Sequence, residues 1–216
     1  RNFDEAVFRD AHLLLRSFVH ERTVYDALTR KLFQAQWDSK KQARAGLLSE
    51  DALREITFRK GGLSVLLCNF YLDATPTPAE RDCWYRIGTI IQLTNDLFDI
   101  YKDLGDQMDT LPLRMQDVAV FRVFFEDQVS GMFHVVESLE VPESRKAPFR
   151  LAMAGISAFG MIALDQLGEL TPPFTRYTRR QLVIDMEKRQ NLSAWLRYTY
   201  RMARRPLPST TSNTPL

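Results

Sequence analysis

The chain has 216 residues, 45% of them hydrophobic, and its 29 basic and 27 acidic side chains leave a formal net charge of +2. That length fits one domain, or a large part of one, with enough apolar material for a real core, and so balanced a charge argues against a dedicated nucleic-acid binder. No apolar run reaches the ~20 residues of a membrane span, no signal peptide is visible, and Cys68 and Cys83 read as reduced core thiols of a cytoplasmic protein.

Residues 3–21 have the pattern of an amphipathic helix, with Phe3, Val7, Leu14 and Phe18 among its apolar positions. A second helix is expected over roughly 23–46 and carries Gln36 and Asp38. His12 and His20 stand at no spacing that suggests zinc. Ser49, followed by Glu50 and Asp51, then caps a helix that extends to about Leu72. Gly61 and Gly62 sit side by side inside it. Each costs ~1 kcal/mol relative to Ala, so a kink or a close backbone approach is expected there, with Lys60 beside it.

The next segment organises the chain. Thr77-Pro78-Ala79-Glu80 supplies a capping Thr, Pro at the first helical position and Glu three residues after the cap. The helix it opens is expected to run through Asp103, with apolar Ile87, Ile90, Ile91, Leu93, Leu97 and Ile100. Asn95, Asp99 and Asp103 fall at i, i+4 and i+8, and Gln92 lies one turn earlier, which stacks oxygen-bearing side chains along one stripe. A buried carboxylate without a partner is expensive. Three oxygen ligands one turn apart suit Mg²⁺, which takes few protein ligands and fills its octahedron with water and phosphate oxygens. The plainer alternative is a solvated stripe that pairs with Lys102 or nearby arginines.

Residues 104–112 read as a loop, with Lys102 and Arg114 either supplying charge there or solvated. A helix over 115–140 follows, then a break at Val141-Pro142-Glu143-Ser144 and a helix from Arg145 to about Leu167. Pro172-Pro173 precedes a last helix from Thr178 to about Ala203, whose end carries Arg201, Arg204 and Arg205. These either solvate the helix end or meet diphosphate or an anionic membrane surface. Residues 206–216 should be a disordered tail after a helical domain over 1–205. Periodicity therefore gives an all-α chain of about seven helices, with no strand-period segment, Gly-rich phosphate loop or Ser-His-Asp arrangement.

Gly88–x3–Gln92–x2–Asn95-Asp96–x2–Asp99 resembles the second aspartate-rich motif of trans-isoprenyl diphosphate synthases, Gly–x3–Gln–x2–Asp-Asp–x2–Asp, with Asn95 replacing the first Asp. Gln92-Leu93-Thr94-Asn95 followed by Asp99 and Asp103 is similar to the second motif of squalene and phytoene synthases. Terpene synthases place an Asn/Asp, Ser/Thr, Glu trio at the spacing of Asn95, Asp99 and Asp103. All three belong to the class I isoprenoid synthase superfamily. Lys60 resembles the Lys of a Lys-Thr pair that contacts diphosphate in isoprenyl synthases, with Gly61 replacing the Thr. Gln36 and Asp38 loosely match a Gln and Asp of their preceding helix. The loop ending Leu111-Pro112 and the turn at 141–145 look like segments of squalene and phytoene synthases, and Arg197-Tyr198 resembles an Arg-Tyr pair of terpene synthases.

The resemblance implies a single-domain helical bundle around a central cavity, an isoprenyl diphosphate substrate and Mg²⁺ as cofactor. Asn95, Asp96, Asp99 and Asp103 would hold the metal. Lys60, Lys102, Arg197 and Tyr198 would bind diphosphate, Lys60 and Gln92 would serve the chemistry, and the 104–112 loop would fold over the ligand. Tyr71, Phe98 and Tyr101 are candidates to guide a carbocation by cation–π attraction. The family's first aspartate-rich motif is missing, since Asp4, Glu5 and Asp10 do not fit it. It is expected upstream of Arg1, together with N-terminal helices. The expected activity is ionisation of an allylic diphosphate followed by condensation or cyclisation. The alternatives are a non-catalytic homologue acting as a regulatory subunit, and a helical interaction module. A homodimer and a peripheral membrane contact are compatible with the sequence.

Overall fold

A computed structural model describes residues 5–43, 48–72 and 74–204. Among them are ten α-helices and no strand: α1 Glu5–Ser17, α2 Arg22–Asp38, α3 Glu50–Asn69, α4 Pro78–Phe98, α5 Ile100–Gly105, α6 Leu111–Arg114, α7 Val118–Ser138, α8 Glu143–Leu167, α9 Arg179–Leu182 and α10 Arg189–Arg204. The chain is all-α, as its periodicity indicates. The expected tail and Asp4 lie outside the described residues.

The caps read from sequence are made. The Ser49 side chain accepts from the Ala52 N–H. Thr77 and Glu80 form a reciprocal capping box, the Glu80 N–H donating to Thr77 Oγ1 at 3.2 Å and the Thr77 N–H to Glu80 Oε2 at 2.7 Å.

Helix α4 is the central post. It packs against α3 on one side and against α7 and α8 on the other, with Ile90, Leu93 and Leu97 fully buried. The main core continues through Phe121, Phe125 and Phe133 of α7, Ala154, Ala158 and Leu164 of α8, and Phe174, Leu182 and Met202. A second cluster joins Val19, Tyr25, Leu63, Leu66, Leu67 and Phe70 between α2 and α3.

The glycine pair turns out to serve a helix crossing. Helix α3 runs unbroken through Gly61 and Gly62. A β-carbon on Gly88 would stand 2.7 Å from the Gly61 carbonyl carbon and 2.9 Å from Gly62 Cα, and one on Gly62 would stand in the Tyr85 ring. The backbones of α3 and α4 therefore touch, which only glycine permits. Of the two expectations, close approach is the one that holds, and no break in α3 is needed.

Four expectations need correction. The helix read as continuous from Thr77 to Asp103 bends at Asp99, which caps α4 before α5 begins. The last helix is two pieces: between α9 and α10 the Asn191 amide donates to the Asp185 carbonyl, and Gln166 on α8 donates to the Gln181 and Val183 carbonyls. Those side chains hold an extended connection that periodicity does not register. Cys83 is buried, its thiol pushed up to about 12 mainly by desolvation, whereas Cys68 is exposed rather than a core residue. Finally, α8 is long and apolar enough to cross a membrane by length and composition. More than half of its apolar window is buried inside the fold, where it packs on α4, α7 and α10.

Candidate functional site

The distal end of α4 and all of α5 carry the acidic stripe. Hydrogen bonds from the Asp99 N–H to the Asn95 carbonyl and from the Asp103 N–H to the Asp99 carbonyl keep helical register through the bend. The stripe is not quite the one the i, i+4, i+8 spacing selects. Gln92, Asp96, Asp99 and Asp103 are spaced by four, three and four residues, which holds one helix face. Asn95, one turn before Asp99, stands at the outer edge of that face and is exposed. Asp96 and Asp103 are buried, and Asp99 is half-buried between them.

Asp96 is the most unusual group. Its Oδ1 accepts a 2.7 Å hydrogen bond from Gln92 Nε2. Desolvation pushes its carboxyl up to about 7, against the opposing effects of that hydrogen bond and the Lys60 charge; the negative charges of Asp103 and Asp99 push it further up. Asp103 is also raised, first by burial and then by Asp99, while Lys102 and Lys60 pull the other way.

Lys60, on α3, is near enough to both buried carboxylates for its charge to pull them down. The Gly61–Gly88 crossing brings α3 and α4 together at this level: Lys60 precedes the glycine on α3, and Gln92 lies one turn beyond Gly88 on α4. A residue larger than glycine at either point would part the two helices and carry Lys60 away with α3.

Beyond the bend, the stripe borders a cleft of about 730 Å³ lined by Phe98, Asp99, Tyr101, Lys102, Asp106 and Leu104 on one wall and by Thr175, Tyr177, Arg179 and Val183 on the other. Lys102 and Arg179 bring positive charge and Phe98 and Tyr101 bring aromatic faces to the same cleft as Asp99. The second wall was invisible in the sequence reading, although one signal was present. The dipeptide Arg-Tyr occurs twice, at 176–177 and at 197–198. It is Tyr177 that borders the acidic stripe. Its hydroxyl accepts from the Thr171 N–H at 2.9 Å and from Arg176 at 3.1 Å.

Arg197 and Tyr198 lie elsewhere, on α10 against α8. The Tyr198 hydroxyl donates to Asp165, 2.9 Å from each carboxylate oxygen, and Asp165 also takes a 2.8 Å bond from Arg122 on α7. That triad ties three helices together, and Arg197 is exposed. Tyr71 is bonded to the Tyr25 hydroxyl at 2.8 Å between α2 and α3. Gln36 is exposed, and Asp38 pairs with Lys41 at 3.0 Å. None of these joins the acidic face.

The loop after α5 is anchored. The Asp109 N–H donates to the Gln42 carbonyl at 2.7 Å, and Gln42 Nε2 returns a 3.0 Å bond to the Asp109 carbonyl. Arg114 clamps the buried Asp109 carboxylate with two nitrogens and donates to the Leu48 carbonyl at 2.8 Å. Arg114 is therefore a structural clamp, and Lys102 is the exposed cation of this region.

No three His, Cys, Asp or Glu side chains converge on one point among the described residues, so there is no closed metal cage. The donors are nonetheless hard oxygens, electrostatically coupled along one face, and one of them is a buried carboxyl without a full countercharge. That donor set fits Mg²⁺ held openly by one or two carboxylates with its other positions left for ligand oxygens. No family model, no curated protein and no solved structure matches this chain.

Proposed function

We propose that this chain carries the diphosphate site of a class I isoprenoid synthase, which binds an allylic isoprenyl diphosphate and promotes departure of its diphosphate. The observation that carries the reading is the face of Gln92, Asp96, Asp99 and Asp103, with the helix that bears Lys60 brought against α4 by a glycine crossing and a cleft beginning at Asp99. A structural acidic stripe needs none of that company.

Asp99 and Asp103, with Asp96 behind them, would hold Mg²⁺; when bound, the ion supplies positive charge to the diphosphate oxygens. The chain's own groups do the rest. Lys102 and Arg179, in the cleft beside Asp99, would meet the negative charge that grows as the carbon–oxygen bond breaks and its electron pair leaves with diphosphate, and Lys60 would add its charge from α3, the kind of stabilisation that contributes most to such a step. Gln92 orients the Asp96 carboxyl through its hydrogen bond. Phe98 and Tyr101 offer π faces to the allylic cation left behind. Carbon–carbon bond formation, by condensation with a second molecule or by cyclisation, follows. The 106–110 loop, pinned by Gln42 and Arg114, meets the cleft at Asp106 and would help exclude water from that side.

A second reading is compatible with a site in which no three such side chains converge among the described residues: a non-catalytic homologue that binds the diphosphate or a partner synthase without turnover. Calorimetric binding of farnesyl thiodiphosphate to the full gene product, with and without Mg²⁺, tests the shared premise. Mg²⁺-dependent binding that Asp99→Ala abolishes supports the site. Absence of binding in both conditions removes it, and with it the enzyme reading.

A further inference from the structure

We propose that the outer face of α10 docks the protein onto an anionic lipid surface. Residues 176–205 hold nine of the chain's 29 basic side chains and two of its 27 acidic ones. This end is strongly positive, although the whole chain is nearly neutral. Helix α10 itself has four arginines, Arg189, Arg197, Arg201 and Arg204, and no acidic residue.

Its inner side is accounted for: Thr199 and Met202 are buried, and Trp195 donates from its indole nitrogen to the Gly155 carbonyl of α8 at 2.8 Å. The outer side carries Leu192, Leu196 and Tyr200, one turn apart and each more than half exposed. On the helical wheel Arg189 falls among these three positions and Arg204 and Arg197 lie along the side of the stripe away from α8, with Arg204 over the Tyr200 ring at 4.3 Å. An apolar ridge beside a purely cationic band is how a helix lies in a membrane interface. The ridge enters the acyl boundary while the guanidinium groups remain with the phosphates.

Charge selects this occupant over a second copy of the chain, because two such faces would set arginine against arginine. Shape selects it over a peptide. The ridge is convex, and neither the α5–α9 cleft nor the smaller one between α3, α4 and α7 includes an α10 residue.

Flotation of the full chain with phosphatidylcholine vesicles, with and without phosphatidylglycerol, is the test. Binding is expected only with the anionic lipid and should weaken as salt rises. The double substitution R189Q/R204Q should reduce vesicle affinity roughly 30-fold, at about fivefold for each arginine at the surface. L192S/L196S should reduce it by ~10-fold or more. Both variants touch exposed positions, and circular dichroism verifies that they fold. Equal binding to neutral vesicles, binding to neither, or indifference to both double substitutions overturns the proposal. Capture by polyglutamate without vesicle binding overturns it too and assigns the face to an acidic polypeptide.

Discussion

Substituting Gly88 by Ala probes the crossing on which the candidate site depends. The new methyl would meet backbone, the Gly61 carbonyl group and Gly62 Cα at 2.9 Å or less. Ordinary contact for such a carbon begins near 3.4 Å, so α3 and α4 must part by several tenths of an ångström or more along their most extensive contact. Parting packed helices by 0.5–1 Å forfeits roughly a quarter to a half of the dispersion contacts across the seam. Overpacking against rigid backbone typically costs ~1–3 kcal/mol, and this contact belongs at or above the upper figure. Neighbouring glycines calibrate the claim. Gly62→Ala meets only the Tyr85 ring, which can swing away, and should cost less. Gly105→Ala meets nothing within 4 Å and should stabilise by ~0.5–1 kcal/mol through helix propensity. Urea denaturation of the three variants provides the ranking. A Gly88→Ala protein as stable as the parent would refute the crossing, and with it the reason Lys60 lies near Asp96.

Asp96→Asn tests the buried carboxyl. Because the folded pKa of about 7 lies above the unfolded value near 3.8, the folded state binds more protons between those values, and Asp96 makes the protein less stable as pH rises through that window. At about 1.4 kcal/mol per pKa unit, the metal-free variant should exceed the parent by up to about 4 kcal/mol at pH 8 and by almost nothing at pH 4. Denaturant midpoints in chelator at the two pH values check this, and a pH-independent difference contradicts it. Arg114→Ala removes the two-nitrogen clamp on the Asp109 carboxylate and should cost ~1.5–3 kcal/mol, the range of hydrogen bonds to charged groups, with faster amide exchange over 106–110. Tyr198→Phe should lose ~1 kcal/mol of stability without altering diphosphate affinity, whereas Arg179→Gln should weaken diphosphate binding at unchanged stability; calorimetry beside urea melts separates the two.

Much of this was legible in the residues. Local rules placed the Ser49 and Thr77 caps because capping depends only on neighbours. The acidic stripe was visible because helical spacing is local too. Which of its members face inward was not: the choice of Asp96 over Asn95 depends on how α4 is rotated against α3, which the glycine crossing sets. The two Arg-Tyr dipeptides illustrate the limit most clearly. Nothing within either pair says which lies near Asp99, because that depends on how the segment from Gly168 to Lys188, with α9 inside it, carries the chain back past α5.

Turnover is the most direct test of the site on α4 and α5. Full-length protein incubated with farnesyl diphosphate and Mg²⁺ should release diphosphate, and Asp99→Asn or Asp103→Asn should slow that release by roughly 100-fold or more. Release that needs no Mg²⁺, or that persists unchanged in both variants, would contradict the assignment of the site to this face. Mg²⁺-dependent binding with no release from any allylic diphosphate would contradict catalysis and leave a diphosphate-binding homologue.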